Sequence, residues 1–142
     1  NIPNVRQPED LGIVLKDILE DEVEKHYLAG KNLIENYQGG NQLNPNYKSQ
    51  ANTIHDKNKK SGAICAGTHG YANGYVETKP IKVGMNIENL SWRKLTPLEV
   101  ERLQTVPDNY TASVSDTQRY KMLGNGWTVG VIAHILTNME TK

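Results

Sequence analysis

The sequence predicts a mixed α+β fold in two parts, a small irregular β-rich region followed by C-terminal helices. Two observations support this prediction. Helical spacing of apolar residues is absent from Asn41 to Ile87, where short β-prone runs alternate with Gly, Asn and Lys. Helix-start signals and apolar helical spacing return from Arg93 onward. The 142 residues, of which 37% are hydrophobic, are enough for one ordinary domain with a modest core.

The N-terminal segment is predicted to be a linker followed by helix. Residues 1–9 contain two prolines and two asparagines and are expected to form an extended linker. Apolar residues within Leu11–Leu19 recur at the spacing of one helical face, and Asp10 precedes them as a candidate cap. A second short helix is predicted over Lys31–Tyr37, ended by the pair Gly39-Gly40.

The middle of the chain is predicted to form a small, loop-rich sheet. Three short runs are rich in β-prone residues: Thr53–His55, Ala63–Cys65 and Gly74–Glu77. Between the first two runs, Asp56–Gly62 has the composition of a hairpin tip. We therefore expect these runs to be strands of one irregular sheet.

Three helices are predicted in the C-terminal segment. Thr96-Pro97-Leu98-Glu99 has the form of a capping box and begins a helix that runs to about Gln104. Ser115-Asp116-Thr117-Gln118 repeats this signature, and Gly124 is placed to close the second helix. The last helix, Trp127–Met139, is apolar over so much of its circumference that we expect a partner surface to cover it, in the same polypeptide or from another chain.

The zero net charge hides an uneven distribution along the chain. Residues 1–40 carry four basic against eight acidic side chains, whereas residues 41–82 carry six lysines against two acids. The basic segment has two interpretations, a phosphate-facing surface or a solvated lysine-rich hairpin. The single cysteine excludes an internal disulfide and suits a reducing compartment. No Cys/His spacing indicates a metal site.

Two motifs follow one another in the last fifty residues. The first runs from Arg93 through Gln104 to Tyr110, and the second runs from Ser115 to Val129. In this order they resemble the ninth and tenth motifs of the DNA (cytosine-5) methyltransferases. At the centre of the second motif stands Leu123-Gly124-Asn125-Gly126-Trp127-Thr128-Val129. The Gly-Trp pair stands where Ser-Val is commoner in the family and is closer to the Ser-Trp of the mammalian de novo DNA methyltransferases.

The resemblance implies a division of the chain. Residues 10–92 stand in the place of the family's target recognition region, and residues 93–142 return to the catalytic domain. The C-terminal helices are then expected to pack on a Rossmann-like methyltransferase domain that this chain does not contain. The family's usual Thr-Leu pair is replaced by Ala63-Ile64 or Ile64-Cys65, and the loop beside the flipped base is placed at Ala66–Tyr71.

The family's catalytic residues are missing from this sequence. The family transfers a methyl group from S-adenosylmethionine to C5 of a cytosine that is flipped out of the duplex. It uses a nucleophilic cysteine in a Pro-Cys motif, a glutamate in a Glu-Asn-Val motif and a glycine-rich cofactor-binding loop after the first strand of the Rossmann-like sheet. None of these three motifs occurs here. Cys65 follows isoleucine and is interpreted as a small core residue. We therefore expect a fragment or a split subunit that is inactive alone. The alternative is a non-catalytic DNA-binding module derived from such an enzyme.

The resemblance also implies candidate site residues, none of them catalytic and none a metal ligand. The candidates for lining the S-adenosylmethionine pocket are Gly124, Asn125, Gly126 and Trp127. For Trp127 the alternative is a core anchor for the final helix. The candidates for contacting double-stranded DNA are Lys48, Lys57, Lys59, Lys60, Thr68, His69, Lys79 and Lys82. Arg93 and Arg102 are expected to organise the recognition region rather than to touch bases. The second expected partner is the N-terminal catalytic half. The resemblance also implies a cytoplasmic, DNA-associated protein of a bacterial or phage-infected cell.

Overall fold

The protein is described by a computed structural model that covers residues 5–27, 53–66, 75–77 and 92–139. The described residues form two short 3-10 turns, three strands and three helices. In chain order these elements are the 3-10 turns Leu15–Asp17 and Lys25–Tyr27, β1 (Ile54–His55), β2 (Tyr75–Glu77), β3 (Trp92–Lys94), α1 (Pro97–Leu103), α2 (Asp116–Asn125) and α3 (Val129–Thr137). The predicted α+β class fits this arrangement. The helix predicted over Lys31–Tyr37 lies outside the described residues.

The strands form one mixed sheet in the order β1-β2-β3. β1 pairs with β2 in parallel, and β2 pairs with β3 in antiparallel orientation. Two of the predicted β-prone runs are therefore strands. The third, Ala63–Cys65, is irregular, so its prediction as a strand is wrong. The tip at Asp56 does form a turn, in which the Lys59 N–H donates to the Asp56 carbonyl at 3.1 Å. β1 pairs in parallel with the distant β2, and the segment after this turn forms no strand. The turn therefore does not close a β-hairpin.

The helix predicted over Leu11–Leu19 is wrong, since only the 3-10 turn Leu15–Asp17 forms there. Gly12 has φ +71°, and the Asp10 carboxylate accepts the Gly12 N–H at 2.9 Å. The Leu15 N–H donates to the Lys59 carbonyl at 3.0 Å, and the Lys16 N–H donates to the Lys57 carbonyl at 2.8 Å. These bonds attach the N-terminal segment to the turn after β1. They use N–H groups that would donate to carbonyls of the same segment if it were an α-helix.

A single buried cluster joins the N-terminal segment, the sheet and the first two helices. Its members are Leu15, Val76, Leu95, Val100, Tyr120 and Leu123. The Tyr120 hydroxyl donates to the Leu95 carbonyl at 2.6 Å, so the polar end of this buried ring is satisfied. α3 contributes nothing to the cluster, and none of its residues is buried.

α1 begins with the predicted capping box, which is confirmed. The Glu99 N–H donates to the Thr96 hydroxyl at 3.2 Å, and the Thr96 N–H donates to the Glu99 carboxylate at 2.8 Å. Glu99 is fully buried, and the Arg93 guanidinium forks onto its two oxygens at 2.9 and 2.6 Å. The capping carboxylate therefore also joins β3 to α1.

Glu101 fixes the loop between α1 and α2. Its fully buried carboxylate accepts the N–H groups of Asn109 and Thr111 at 2.7 and 2.8 Å, the Thr111 hydroxyl, and the Arg119 guanidinium at 3.0 Å. Burial alone would raise the pKa of Glu101, but the bonds from Thr111, Arg119 and Asn109 outweigh it and lower that pKa. The carboxylate therefore stays ionised and holds α2 against α1.

The second predicted helix is confirmed, but its predicted end is wrong. α2 continues through Gly124 to Asn125, and Gly126 is the cap residue, whose N–H donates to the Met122 carbonyl at 3.0 Å. Gly124 is needed for close packing instead. A Cβ placed there would lie 2.3 Å from the Cys65 carbonyl oxygen and 2.4 Å from the Ala66 nitrogen. α2 therefore touches the backbone of the 63–66 segment.

The third predicted helix is also confirmed, with shorter bounds than expected. α3 spans Val129–Thr137, so Trp127 and Met139 lie outside it. None of the helices described in 92–139 is long and apolar enough to cross a membrane.

We predict that Gly124→Ala destabilises the chain although alanine normally favours a helix by about 1 kcal/mol over glycine. The new Cβ would overlap the Cys65 and Ala66 backbone, and we expect a loss of about 1–3 kcal/mol in the free energy of unfolding, measured by urea denaturation. Gly126→Ala is the control, because its Cβ would meet nothing nearer than 3.4 Å. Equal stabilities of the two variants would contradict the close contact.

Candidate cofactor turn and nucleic-acid surface

The four candidate cofactor residues form one turn, which we call the cofactor turn (Gly124–Trp127). Its first two residues are the last two of α2, the other two connect α2 to α3, and Asn125, Gly126 and Trp127 are all exposed. The Trp127 side chain is 74% exposed, so it is not a core anchor within the described chain. The turn therefore presents an amide, a bare glycine backbone and an indole ring at one place on the surface.

Gln104 lies beneath the cofactor turn and was not singled out by the sequence. Its side-chain amide donates to the Leu123 carbonyl at 2.5 Å and to the Gly126 carbonyl at 3.3 Å, and its carbonyl accepts the Thr128 hydroxyl at 2.9 Å. Its backbone carbonyl accepts the Val129 N–H at 3.0 Å. The sequence places Gln104 within the first motif and predicts only that the helix ends near it.

A groove of about 920 Å³ opens beside this turn. It is lined by the end of α1, the start of α3, the N-terminal segment and the 60–64 segment. Residues that line it include Leu11, Ile13, Leu103, Gly126, Thr128 and Val131. The groove therefore places exposed apolar side chains next to the cofactor turn.

Hydrogen bonds to other described residues hold the first half of α3, and several of its apolar side chains are exposed. Its first turn is held by the Gly130 N–H, which donates to the Thr105 hydroxyl at 2.7 Å, and its middle by a 2.8 Å bond between His134 Nε2 and the Arg6 carbonyl. Val131 is 53% exposed and Leu136 is 62% exposed. α3 therefore leaves large apolar side chains exposed to solvent.

The predicted recognition loop begins against the cofactor turn. Ala66, the first residue of that loop, packs with Cys65 on Gly124. The rest of the loop, including Thr68 and His69, lies outside the described residues. Cys65 itself is half-buried and lies outside the buried cluster, so it packs on Gly124 rather than in the core as interpreted from the sequence.

Three of the candidate DNA-contacting lysines lie in the turn after β1. Lys60 Nζ is 2.5 Å from the Asp10 carboxylate, and Lys59 Nζ is 4.0 Å from the Asp56 carboxylate. The hydrogen bond from Lys60 lowers the pKa of Asp10. The acidic N-terminal segment thus neutralises part of the basic turn, which separate charge counts of the two segments did not reveal. The other candidates, Lys48, Lys79 and Lys82, lie outside the described residues.

Arg93 and Arg102 hold the N-terminal segment against α1. Besides Glu99, Arg93 reaches the Glu20 carbonyl at 3.4 Å. Arg102 forks onto Asp108 at 3.0 and 2.7 Å and donates to the Ile18 carbonyl at 2.9 Å. Both guanidinium groups are used for protein contacts, as expected for organising residues. In the described ranges, no His, Cys, Asp and Glu side chains group together to hold a metal ion.

The fold is similar to part of two solved methyltransferase structures. It superimposes on a methyltransferase of Entamoeba histolytica, EhMeth, with a TM-score of 0.68 and 18% identity, covering 96% of this chain and 43% of that one. It also superimposes on the Dnmt2 methyltransferase of S. pombe, with a TM-score of 0.64 and 19% identity, over 92% of this chain and 42% of that one.

The sequence defines the family more closely. The profile of the C-5 cytosine-specific DNA methylases matches residues 2–141, so the chain belongs to this family. It is 31% identical over 149 aligned positions to the type II methyltransferase M.HhaI of Haemophilus parahaemolyticus, covering 100% of this chain and 45% of the relative. It is 46% identical over 52 residues to the type II methyltransferase M1.ScrFI of Lactococcus lactis subsp. cremoris, which is 37% of this chain and 13% of that protein. The chain spans less than half the length of these relatives.

Proposed function

We propose that this chain is the DNA-recognition and cofactor-pocket-completing portion of a DNA (cytosine-5) methyltransferase. Joined with its catalytic half, in cis or in trans, it helps transfer a methyl group from S-adenosylmethionine to C5 of a cytosine flipped out of the duplex. The observation that carries this proposal is the exposed cofactor turn, which stands between the uncovered α3 and the first residues of the predicted recognition loop. Residues 10–92 form the recognition region, and residues 93–142 complete the catalytic domain.

The chemistry of the cofactor turn fits one wall of an S-adenosylmethionine pocket. The Asn125 amide both donates and accepts hydrogen bonds, which suits a ligand with a carboxylate, an amine and a purine ring. The exposed Trp127 indole offers a face for a flat ring or a cation. The bound cofactor supplies the methyl group; the residues of this chain only bind and orient it.

The exposed apolar residues of α3 suit a surface on which the catalytic half packs. Apolar residues from two sides of this helix are exposed, and an α-helix of this composition is stable when neighbours bury it. We propose that the Rossmann-like domain of the catalytic half packs there and supplies the remaining walls of the cofactor pocket. That half then provides the nucleophilic cysteine and the glycine-rich loop that is the main cofactor-binding element of the family.

The basic turn after β1 supports a contact with the phosphates of double-stranded DNA. Its backbone is fixed by bonds to the N-terminal segment, and the Lys59 side chain is 79% exposed. A rigid turn with an exposed lysine can neutralise a phosphate without reading sequence. We propose Lys57, Lys59 and Lys60 as phosphate contacts, with Lys60 releasing Asp10 when DNA is bound. Lys48, Thr68, His69, Lys79 and Lys82 remain proposals from sequence.

We predict that Asn125→Ala in the complete enzyme weakens S-adenosylmethionine binding by about tenfold, because a buried ligand group loses its hydrogen-bond partner. DNA affinity should change by less than about twofold. The measurement is isothermal titration with each ligand. Asn138→Ala is the matched control, since it removes the same side chain from the far end of α3.

A larger loss of DNA affinity than of cofactor affinity would contradict the pocket assignment. If the wild-type complete protein binds DNA but takes up no methyl donor, the chain is a non-catalytic DNA-binding module instead.

We predict that Lys59→Gln weakens DNA binding by the complete enzyme for every sequence tested. The slope of log affinity against log salt concentration should become shallower by about 1, since one phosphate contact is lost. Fluorescence anisotropy from low to moderate salt measures this slope. Lys121→Gln removes one exposed lysine from α2 and serves as the control. An unchanged slope for Lys59→Gln would remove the basic turn from the DNA interface.

A further inference from the structure

We propose that Gln104 is a positioning residue for methyl transfer: it holds the cofactor turn in its binding shape without touching a ligand. The proposal rests on the proposed function of that turn. Gln104 is only 5% exposed and lies under the turn, at the end of α1. It is thus separated from the surface on which Asn125 and Trp127 are displayed.

The side chain of Gln104 holds the turn from both sides of Asn125. Its NH₂ group donates to the carbonyl of Leu123, two residues before Asn125, and to the carbonyl of Gly126, one residue after it. Its oxygen accepts the Thr128 hydroxyl at 2.9 Å. One planar amide therefore bonds to the carbonyls of Leu123 and Gly126 and to the hydroxyl of Thr128, on both sides of Asn125.

The backbone of the same residue fixes the start of the next helix. The Val129 N–H, one of the first donors of α3, is accepted by the Gln104 carbonyl at 3.0 Å. The first N–H groups of a helix and the last carbonyls of the preceding helix have no partner inside their own helix. Gln104 bonds to one group of each kind, the Leu123 carbonyl at the end of α2 and the Val129 N–H at the start of α3. Both helix ends are therefore attached to the end of α1.

No other described side chain replaces these bonds. The neighbouring Thr105 hydroxyl accepts the Gly130 N–H, one residue further into α3, and does not reach the turn carbonyls. Leaving a buried carbonyl without its donor costs more than a typical net hydrogen bond. Without the Gln104 amide, the turn would reorganise to expose its carbonyls to water, and Asn125 would move from its place.

The test uses the complete enzyme and compares the KM for S-adenosylmethionine, the KM for DNA and kcat. Gln104→Met keeps the length of the side chain and removes its amide. We expect it to raise the KM for S-adenosylmethionine by about tenfold or more, while the KM for DNA stays within about twofold. Thr128→Val removes one of the three side-chain bonds and should raise the same KM by about threefold.

Two controls separate positioning from general stability. Gln118→Met makes the same chemical change on an exposed residue of α2 and should leave both KM values unchanged. Leu15→Ala opens the buried cluster that also contains Leu123 but removes none of the Gln104 bonds, so it should lower the Tm without raising the KM for S-adenosylmethionine at temperatures below unfolding.

Three results would overturn the proposal. The first is a rise in the KM for S-adenosylmethionine with Gln104→Met that is no larger than with Leu15→Ala. The second is an equal rise in the KM for DNA. If Gln104→Met does not fold, the third result decides: an unchanged KM for S-adenosylmethionine with Thr128→Val. Failure of the proposed function is seen separately, because the wild-type enzyme itself would then bind no S-adenosylmethionine.

Discussion

The arrangement of this chain depends on the close approach between α2 and the backbone of the 63–66 segment at Gly124. Only a residue without a Cβ fits there, since an added atom would lie 2.3 Å from the Cys65 carbonyl oxygen. This contact brings the start of the predicted recognition loop to the cofactor turn. Beneath the same turn, Gln104 adds hydrogen bonds from α1. The 63–66 segment, the cofactor turn and α1 thus meet at one point.

The buried charges of α1 keep this meeting point rigid. Glu99 closes the capping box and binds Arg93, and Glu101 gathers the α1–α2 loop and Arg119. Each carboxylate is fully buried yet accepts several donors, which is the condition under which a buried charge is tolerated. α3 differs, because its apolar face lacks comparable cover within the described residues. Among the described residues, α1 is therefore held by many buried bonds, whereas α3 is open on the side where we place the catalytic half.

The sequence predicted those parts of the fold that are encoded by local signals. The Thr96–Glu99 capping box requires only four adjacent residues, and it was correct. The helix over Leu11–Leu19 failed because its donors bond to carbonyls more than forty residues away, which periodicity cannot reveal. The same reason explains the missed roles of Gly124 and Gln104, whose partners come from other elements. The family followed from ordered motifs, but the contact between Lys60 and Asp10 required the folded chain.

The central claim is that the turn and the apolar face of α3 await cover by another polypeptide segment. Hydroxyl-radical footprinting of Trp127 and Met139 tests it most directly, because both side chains oxidise readily when exposed. The isolated chain and the complete protein, with its catalytic half, are to be compared under the same dose. We expect rapid oxidation of both residues in the isolated chain and strong protection in the complete protein. Equal oxidation in the two samples would contradict the account.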